Sequence, residues 1–365
     1  MRLPLLHALR FARGWHSPPT DLGEEEIHIP SPGGREPTLG TLLGPRGSEP
    51  LPGWVVLHGI TRKGRTHPAL RQFIKALAAT PARVLVPEIA EWTRLDLAPE
   101  RAQEIIRSSI RVLANRPDVE AGGVIVAGFS FGGPQALVAA QSNEAGADVR
   151  GVLAWGSYAE LEPTLHFQFT GEHGDGERDV PDPYGRWVLG HNCLPRLTGY
   201  GNLDGVASAL HELAAFAGDQ GIDSRLPALD PLKRRLREPL NAPQTEIFDL
   251  FAPPAGDRPE REAAVQMIAE LGRAARANFP LLDPIPGLDP FTSPVRLMHG
   301  RDDVLIPYTQ LEALAARLEP RTDDLRTGLT GLFAHSAGGN QLGPLDRARE
   351  SVHFLRVLCR VFDMV

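Results

Sequence analysis

From about Gly40 to Trp155 the chain alternates short apolar runs with helical patterns, and this rhythm restricts the fold more than any other feature. "GWVVLHG" (Gly53 to Gly59), "ARVLVPEI" (Ala82 to Ile89), "GGVIVAGFS" and "VRGVLAWGS" (Val149 to Ser157) are apolar at successive positions. Strands of that kind are buried on both faces. Between them lie "LRQFIKALAAT" (Leu70 to Thr80), apolar at Leu70, Phe73, Ile74 and Leu77, and "APERAQEIIRSSIRVLANR" (Ala98 to Arg116), with Pro99 in its first turn. "GPQALVAAQ" (Gly133 to Gln141) is a further helix. The alternation predicts an α/β fold, with a mostly parallel central sheet and helices on both faces. "EEEIHIPS" and "TLGTLLG" ahead of it suit an antiparallel leading hairpin.

After Ser157 the rhythm stops. As far as about Pro290 the chain is rich in Pro, Gly, Asp and His, with helical patterns at Leu203 to Gly218, Gln244 to Phe251 and Arg261 to Phe279 and no clear strand. "DPIPGLDPFTSP" (Asp283 to Pro294) leads back to a strand, "VRLMHG" (Val295 to Gly300). A helix around Leu311 to Leu318, a last strand within Asp324 to His335 and an amphipathic helix over Leu345 to Phe362 follow. The expected organisation is a core of residues 1–157 and 292–365, with a mainly helical insertion at 158–291.

Composition narrows the function classes. A net charge of −7 with scattered basic residues gives no nucleic-acid footprint. Cys193 and Cys359 show neither CxxC nor Cys/His spacing, which argues against a disulfide framework and a zinc site; they are two free thiols or one long-range pair. The opening "MRLPLLHALRFARGWHSPP" is too short and interrupted to span a membrane and lacks a signal peptide's apolar core. It reads as a short helix or arm on the body, with surface attachment to a membrane as the lesser alternative. The expectation is a soluble, cytoplasmic protein without stable membrane insertion, with no metal or organic cofactor, and with its oligomeric state open.

Ser130 stands between Gly128 and Gly132, where an apolar strand gives way to a helix. So sharp a turn strains the backbone at the serine, and glycines two residues away remove side chains that would clash as strand and helix close. The hydroxyl then projects at the carboxyl edge of the sheet, where open α/β sheets place their sites. The backbone N–H of Phe131, at the helix start, is suited to a developing oxyanion. A serine needs a base to act as a nucleophile. "LFAHSAGG" offers His335 after the last strand, and "HGRDDVLIP" offers Asp302 and Asp303 beyond the strand ending at Gly300. The bland alternative is a glycine-rich helix entry with an incidental serine.

The pieces "LHG" (Leu57 to Gly59), "GFSFGG" (Gly128 to Gly133), "HGRDDVLIP" (His299 to Pro307) and "AHS" (Ala334 to Ser336) resemble the α/β-hydrolase superfamily. The resemblance spans roughly 1–157 and 292–365 and implies the α/β-hydrolase fold with a serine–acid–histidine triad in the order Ser130, Asp303, His335. The family's Gly-x-x-Asp turn, apolar pair and proline match Gly300, Asp303 and Pro307, which implies Asp303 as the acid; Asp302 remains the alternative. By the same resemblance the second oxyanion donor is the backbone N–H of Ile60, and the insertion is a cap over the site. The loop "GITRKGRTHP" lacks the HGGG of the hormone-sensitive-lipase branch. His58 and His299 look like structural turn residues. "HSAGG" imitates part of another esterase signature and is read as a decoy.

Arg62, Lys63 and Arg65 in that loop read as a solvated charge run, or one of them, with Arg62 and Lys63 the candidates, as a lure for an anionic substrate group. Trp187 and His191, four apart in "DPYGRWVLGHNCLP", read as a pocket wall or as the core of the insertion itself. Together these features point to a serine hydrolase that cleaves a small-molecule carboxylic ester through an acyl-enzyme. A peptidase, thioesterase or acyltransferase on the same triad, and a hydrolase-fold binding protein without turnover, are the alternatives.

Overall fold

The structure is a computed structural model that describes residues 3–31, 33, 35–141, 148–332 and 343–365. A helix, α1 (Leu3–His16), precedes the strands β1 (Leu22–Ile29), β2 (Thr38–Pro45) and β3 (Gly53–Leu57). Then come α2 (Pro68–Ala78), β4 (Arg83–Pro87), the single turn α3 (Ala90–Thr93), α4 (Pro99–Ala114), β5 (Val124–Phe129), α5 (Gly132–Ala140) and β6 (Val149–Trp155). The chain closes with β9 (Val295–Gly300), α12 (Thr309–Leu318), β10 (Leu325–Thr330) and α13 (Pro344–Phe362).

Between β6 and β9 the insertion contributes α6 (Leu161–Thr170), α7 (Tyr184–Cys193), α8 (Asp204–Gln220), α9 (Asp230–Arg237), α10 (Ala242–Phe251) and α11 (Arg261–Asn278). It also holds one small hairpin, β7 (Glu172–His173) with β8 (Glu177–Arg178), which its sequence does not announce. Helix α10 starts where the sequence supplies a reciprocal cap: Asn241 accepts from the Gln244 N–H, and the Gln244 side chain accepts from the Asn241 N–H.

The main sheet runs β1-β2-β4-β3-β5-β6-β9-β10. β1 pairs antiparallel with β2, and β2 with β4. From β4 to β10 the pairings are parallel. Successive side chains of the inner strands enter opposite cores. Trp54, Val56, Ile125 and Ala127 pack against α1, α2 and α13. Val55, Leu57, Val124 and Val126 pack on the other face, in a core that continues through α4 and α5 into the insertion. That is why these strands read as unbroken apolar runs. The N-terminal segment is the helix expected of it, packed on α2 and α13.

Among the described residues no helix is long and apolar enough to cross a membrane. Nor is any group of three or more His, Cys, Asp or Glu side chains placed to hold a metal ion. Cys193 and Cys359 are both free thiols.

Candidate active site

Ser130 follows directly on β5 with φ at +53°, in the left-handed region that a residue with a side chain rarely adopts. The turn is held by the Ser130 N–H donating to Trp155 O (2.8 Å) and the Gly133 N–H donating to Ser130 O (3.0 Å). A methyl group on Gly128 would overlap the Gly132 carbonyl, and one on Gly133 would overlap the Ser157 hydroxyl. The glycines are therefore what allow α5 to start directly over the end of its own strand.

The loop after β3 comes up beside the serine: a methyl group on Gly59 would sit 3.8 Å from Ser130 Oγ. His58, buried beneath this loop, fixes its course. Its Nδ1–H donates to Gly59 O (2.7 Å), and its Nε2 accepts from the Ile89 N–H (3.4 Å). Both bonds need the neutral ring, and burial lowers its pKa to about 4. His58 is thus the structural turn residue the sequence suggests.

Ile60 and Phe131 line the same cavity as Ser130. Among the described residues neither backbone N–H has a hydrogen-bond acceptor. Two uncommitted donors beside a strained serine are what an oxyanion requires.

The cavity measures about 120 Å³ and is walled mainly by apolar side chains, among them Leu97, Leu161, Leu165, Val188, Leu189 and Ile306. Tyr158 also lines it, with its hydroxyl donating to Leu282 O (2.6 Å). The cavity lies between the strand ends and the insertion, which closes one side with α6 and α7. Asn192 of α7 grips the loop that delivers Leu97: its Oδ1 accepts from the Leu97 N–H (3.1 Å), and its Nδ2 donates to Leu95 O (2.9 Å). These lining residues carry no local sequence signal, because the loops and helices that bring them together are far apart in the chain.

Asp303 lies in the turn after β9 and is 3% exposed. Its Oδ1 accepts from the N–H groups of Leu305 (2.9 Å) and Ile306 (3.0 Å), and its Oδ2 lies 3.5 Å from Nε2 of the buried His299. The neighbouring Asp302 is exposed. The insertion is stitched to the Asp303 turn, with the Asp182 N–H donating to Val304 O (2.7 Å) and the Gln168 amide donating to Leu305 O. His335 lies outside the described residues.

The structure corrects the pocket-wall reading of Trp187 and His191. Trp187 is fully buried inside the insertion, where its Nε1–H donates to Phe251 O (2.9 Å). His191 lies against His211, with ring centroids 4.5 Å apart, and its Nε2 is 3.6 Å from Asp96 Oδ1. Neither lines the Ser130 cavity; Tyr184, Gly185, Val188 and Leu189 of the same helix do. Arg62 and Lys63 are also absent from its walls. Arg62 instead bridges to the insertion, its Nε 3.3 Å from Asp219 Oδ1 on α8.

No protein-family model and no curated protein matches the chain. Solved structures do. The esterase LipA from Xanthomonas oryzae, a rice cell wall degrading enzyme, is similar at 15% identity and a TM-score of 0.53, over 94% of this chain and 90% of that one. The esterase Est22 is similar at 13% identity and a TM-score of 0.51, over 99% of this chain and 83% of that one. An acylaminoacyl peptidase from Pyrococcus horikoshii is similar at 11% identity and a TM-score of 0.50, over 94% of this chain but 42% of that one. Likeness at such identities speaks to the fold. The chain has the α/β-hydrolase fold, of the kind found in esterases of known structure.

Proposed function

We propose that the protein is a serine hydrolase that cleaves a carboxylic ester of a small molecule through an acyl-enzyme. Ser130 is the nucleophile, His335 the base, Asp303 the acid that orients it, and residues 158–291 the cap over the site. The observation that carries this reading is Ser130 itself: strained at φ +53°, flanked by glycines, and opening onto an apolar cavity beside two unengaged N–H groups.

The chemistry follows from that arrangement. Ser130 Oγ gives its proton to His335 and attacks the ester carbonyl carbon. The N–H groups of Ile60 and Phe131 receive the negative charge that forms on the carbonyl oxygen. Collapse breaks the bond to the alcohol, which leaves with the proton held by His335. Water then attacks the acyl-serine by the same route and releases the carboxylic acid. Asp303 acts on the imidazole, holding the required tautomer and stabilising the imidazolium.

The esterases among the similar structures support an ester as substrate, and the apolar walls support an uncharged group next to the reacting carbonyl. Initial rates over p-nitrophenyl esters, thioesters and aminoacyl amides test the reading. Esters are expected to turn over fastest, with Ser130→Ala lowering kcat by about 10⁴-fold or more. Activity that survives Ser130→Ala, or a folded chain inert towards all three classes, overturns it. Faster turnover of thioesters or amides moves the assignment to a thioesterase or peptidase on the same residues.

A further inference from the structure

Helix α7 separates two cavities. Its Gly185, Val188 and Leu189 line the Ser130 cavity, while Arg186 and Trp187 line another of about 190 Å³ whose walls come from the insertion alone. This second cavity also takes in Phe169, Ser224, Lys233 and the Pro-rich turn that carries Ala255.

Its walls include four cationic residues, Arg186, Arg225, Lys233 and Arg258, against one carboxylate, the exposed Asp257. Arg186 is only 5% exposed. Its Nε donates to Phe251 O (2.7 Å) and its Nη1 to Gln168 O (2.8 Å). Its Nη2 has no hydrogen-bond acceptor among the described residues, and no carboxylate oxygen of theirs comes within 4.0 Å of the guanidinium. Ser224 is 3% exposed, and its hydroxyl likewise has no partner among the described residues. The neighbouring cations are already matched: Lys233 Nζ is 3.1 Å from Asp230, and Arg225 is 2.7 Å from Asp223. Asp182 is the acid whose field reaches Arg186, but burial outweighs it and pulls the guanidinium down to about 9.

The guanidinium is buried on its Nε and Nη1 side, which leaves Nη2 and the Ser224 hydroxyl as two donors without a protein acceptor in the lining of one cavity. The planar Arg fork is shaped for carboxylate and phosphate oxygens. We propose that this cavity is a binding site for a small oxyanion, a carboxylate or phosphate group, held by Arg186 Nη2 and the Ser224 hydroxyl with Lys233 alongside. The site has no nucleophile paired with a base, so its role is binding and not a second reaction.

Calorimetric titration of the full chain with inorganic phosphate and, separately, with acetate, at ionic strength matched by chloride, tests this. Saturable one-to-one binding of at least one anion is expected, and the tighter of the two identifies the group. Arg186→Gln should weaken it at least about tenfold, the loss expected for a charge-assisted hydrogen bond. Because Arg186 also holds two carbonyls, Ala255→Trp is the second variant: it fills the cavity, keeps every cation and should abolish binding. If Arg186→Gln does not fold, Ala255→Trp decides. No saturable binding of either anion by the wild-type chain, or binding unchanged by Ala255→Trp, overturns the proposal.

Discussion

At the scale of single residues, the candidate site is built by what is missing as much as by what is present. Gly128 leaves the space that the first turn of α5 occupies, so Gly128→Ala must either push the helix away or relax Ser130 from its left-handed conformation. We expect a loss of about 3 kcal/mol or more in urea unfolding, with hydrolysis lost as well; a variant as stable and active as the wild type contradicts this account of the turn. His58 makes a separate prediction. Its proton binds near 6.5 in the unfolded chain but only near 4 in the folded one, so between those values acid favours unfolding. Its contribution of about 3 kcal/mol is fully present above pH 6.5 and is lost as pH falls towards 4. Stability measured from pH 7 to 4.5 should therefore fall less steeply in His58→Gln than in the wild type, and identical slopes would remove the claim. The serine and its glycines were legible in the sequence because strand, turn and helix are contiguous there. The proposed acid was legible only to the register of its turn, where Asp303 is buried and Asp302 exposed.

At the scale of elements, α7 shows where sequence periodicity stops being informative. Seven consecutive or near-consecutive residues of this helix are buried, including Arg186, Trp187, Val188 and Asn192, so no polar face marks which side meets the reacting group. Trp187 and His191 do share a side, as their spacing implies, but it is not the side that lines the Ser130 cavity. The two sides can be separated experimentally. Val188→Trp should fill the Ser130 cavity and lower kcat/KM more for long acyl esters than for acetate esters. Trp187→Phe should leave that ratio unchanged and cost about 1 kcal/mol, the worth of its hydrogen bond to Phe251 O. Reversal of the two outcomes would restore Trp187 to the pocket wall.

At the scale of the whole molecule, the alternation of apolar strands and amphipathic helices was enough to anticipate the sheet, because strands buried on both faces leave an unbroken apolar run. The insertion was legible only as a helical interruption, since its packing depends on contacts distant in sequence. So does convergence at the site, where loops after β3, β5 and β9 meet two helices of the insertion. The central claim is that Ser130 is activated by a histidine more than two hundred residues further on. Fluorophosphonate labelling followed by peptide mass mapping tests it most directly. The account predicts one adduct, on Ser130, absent in Ser130→Ala and formed far more slowly in His335→Ala. An adduct elsewhere, or His335→Ala labelled as fast as the wild type, would contradict it.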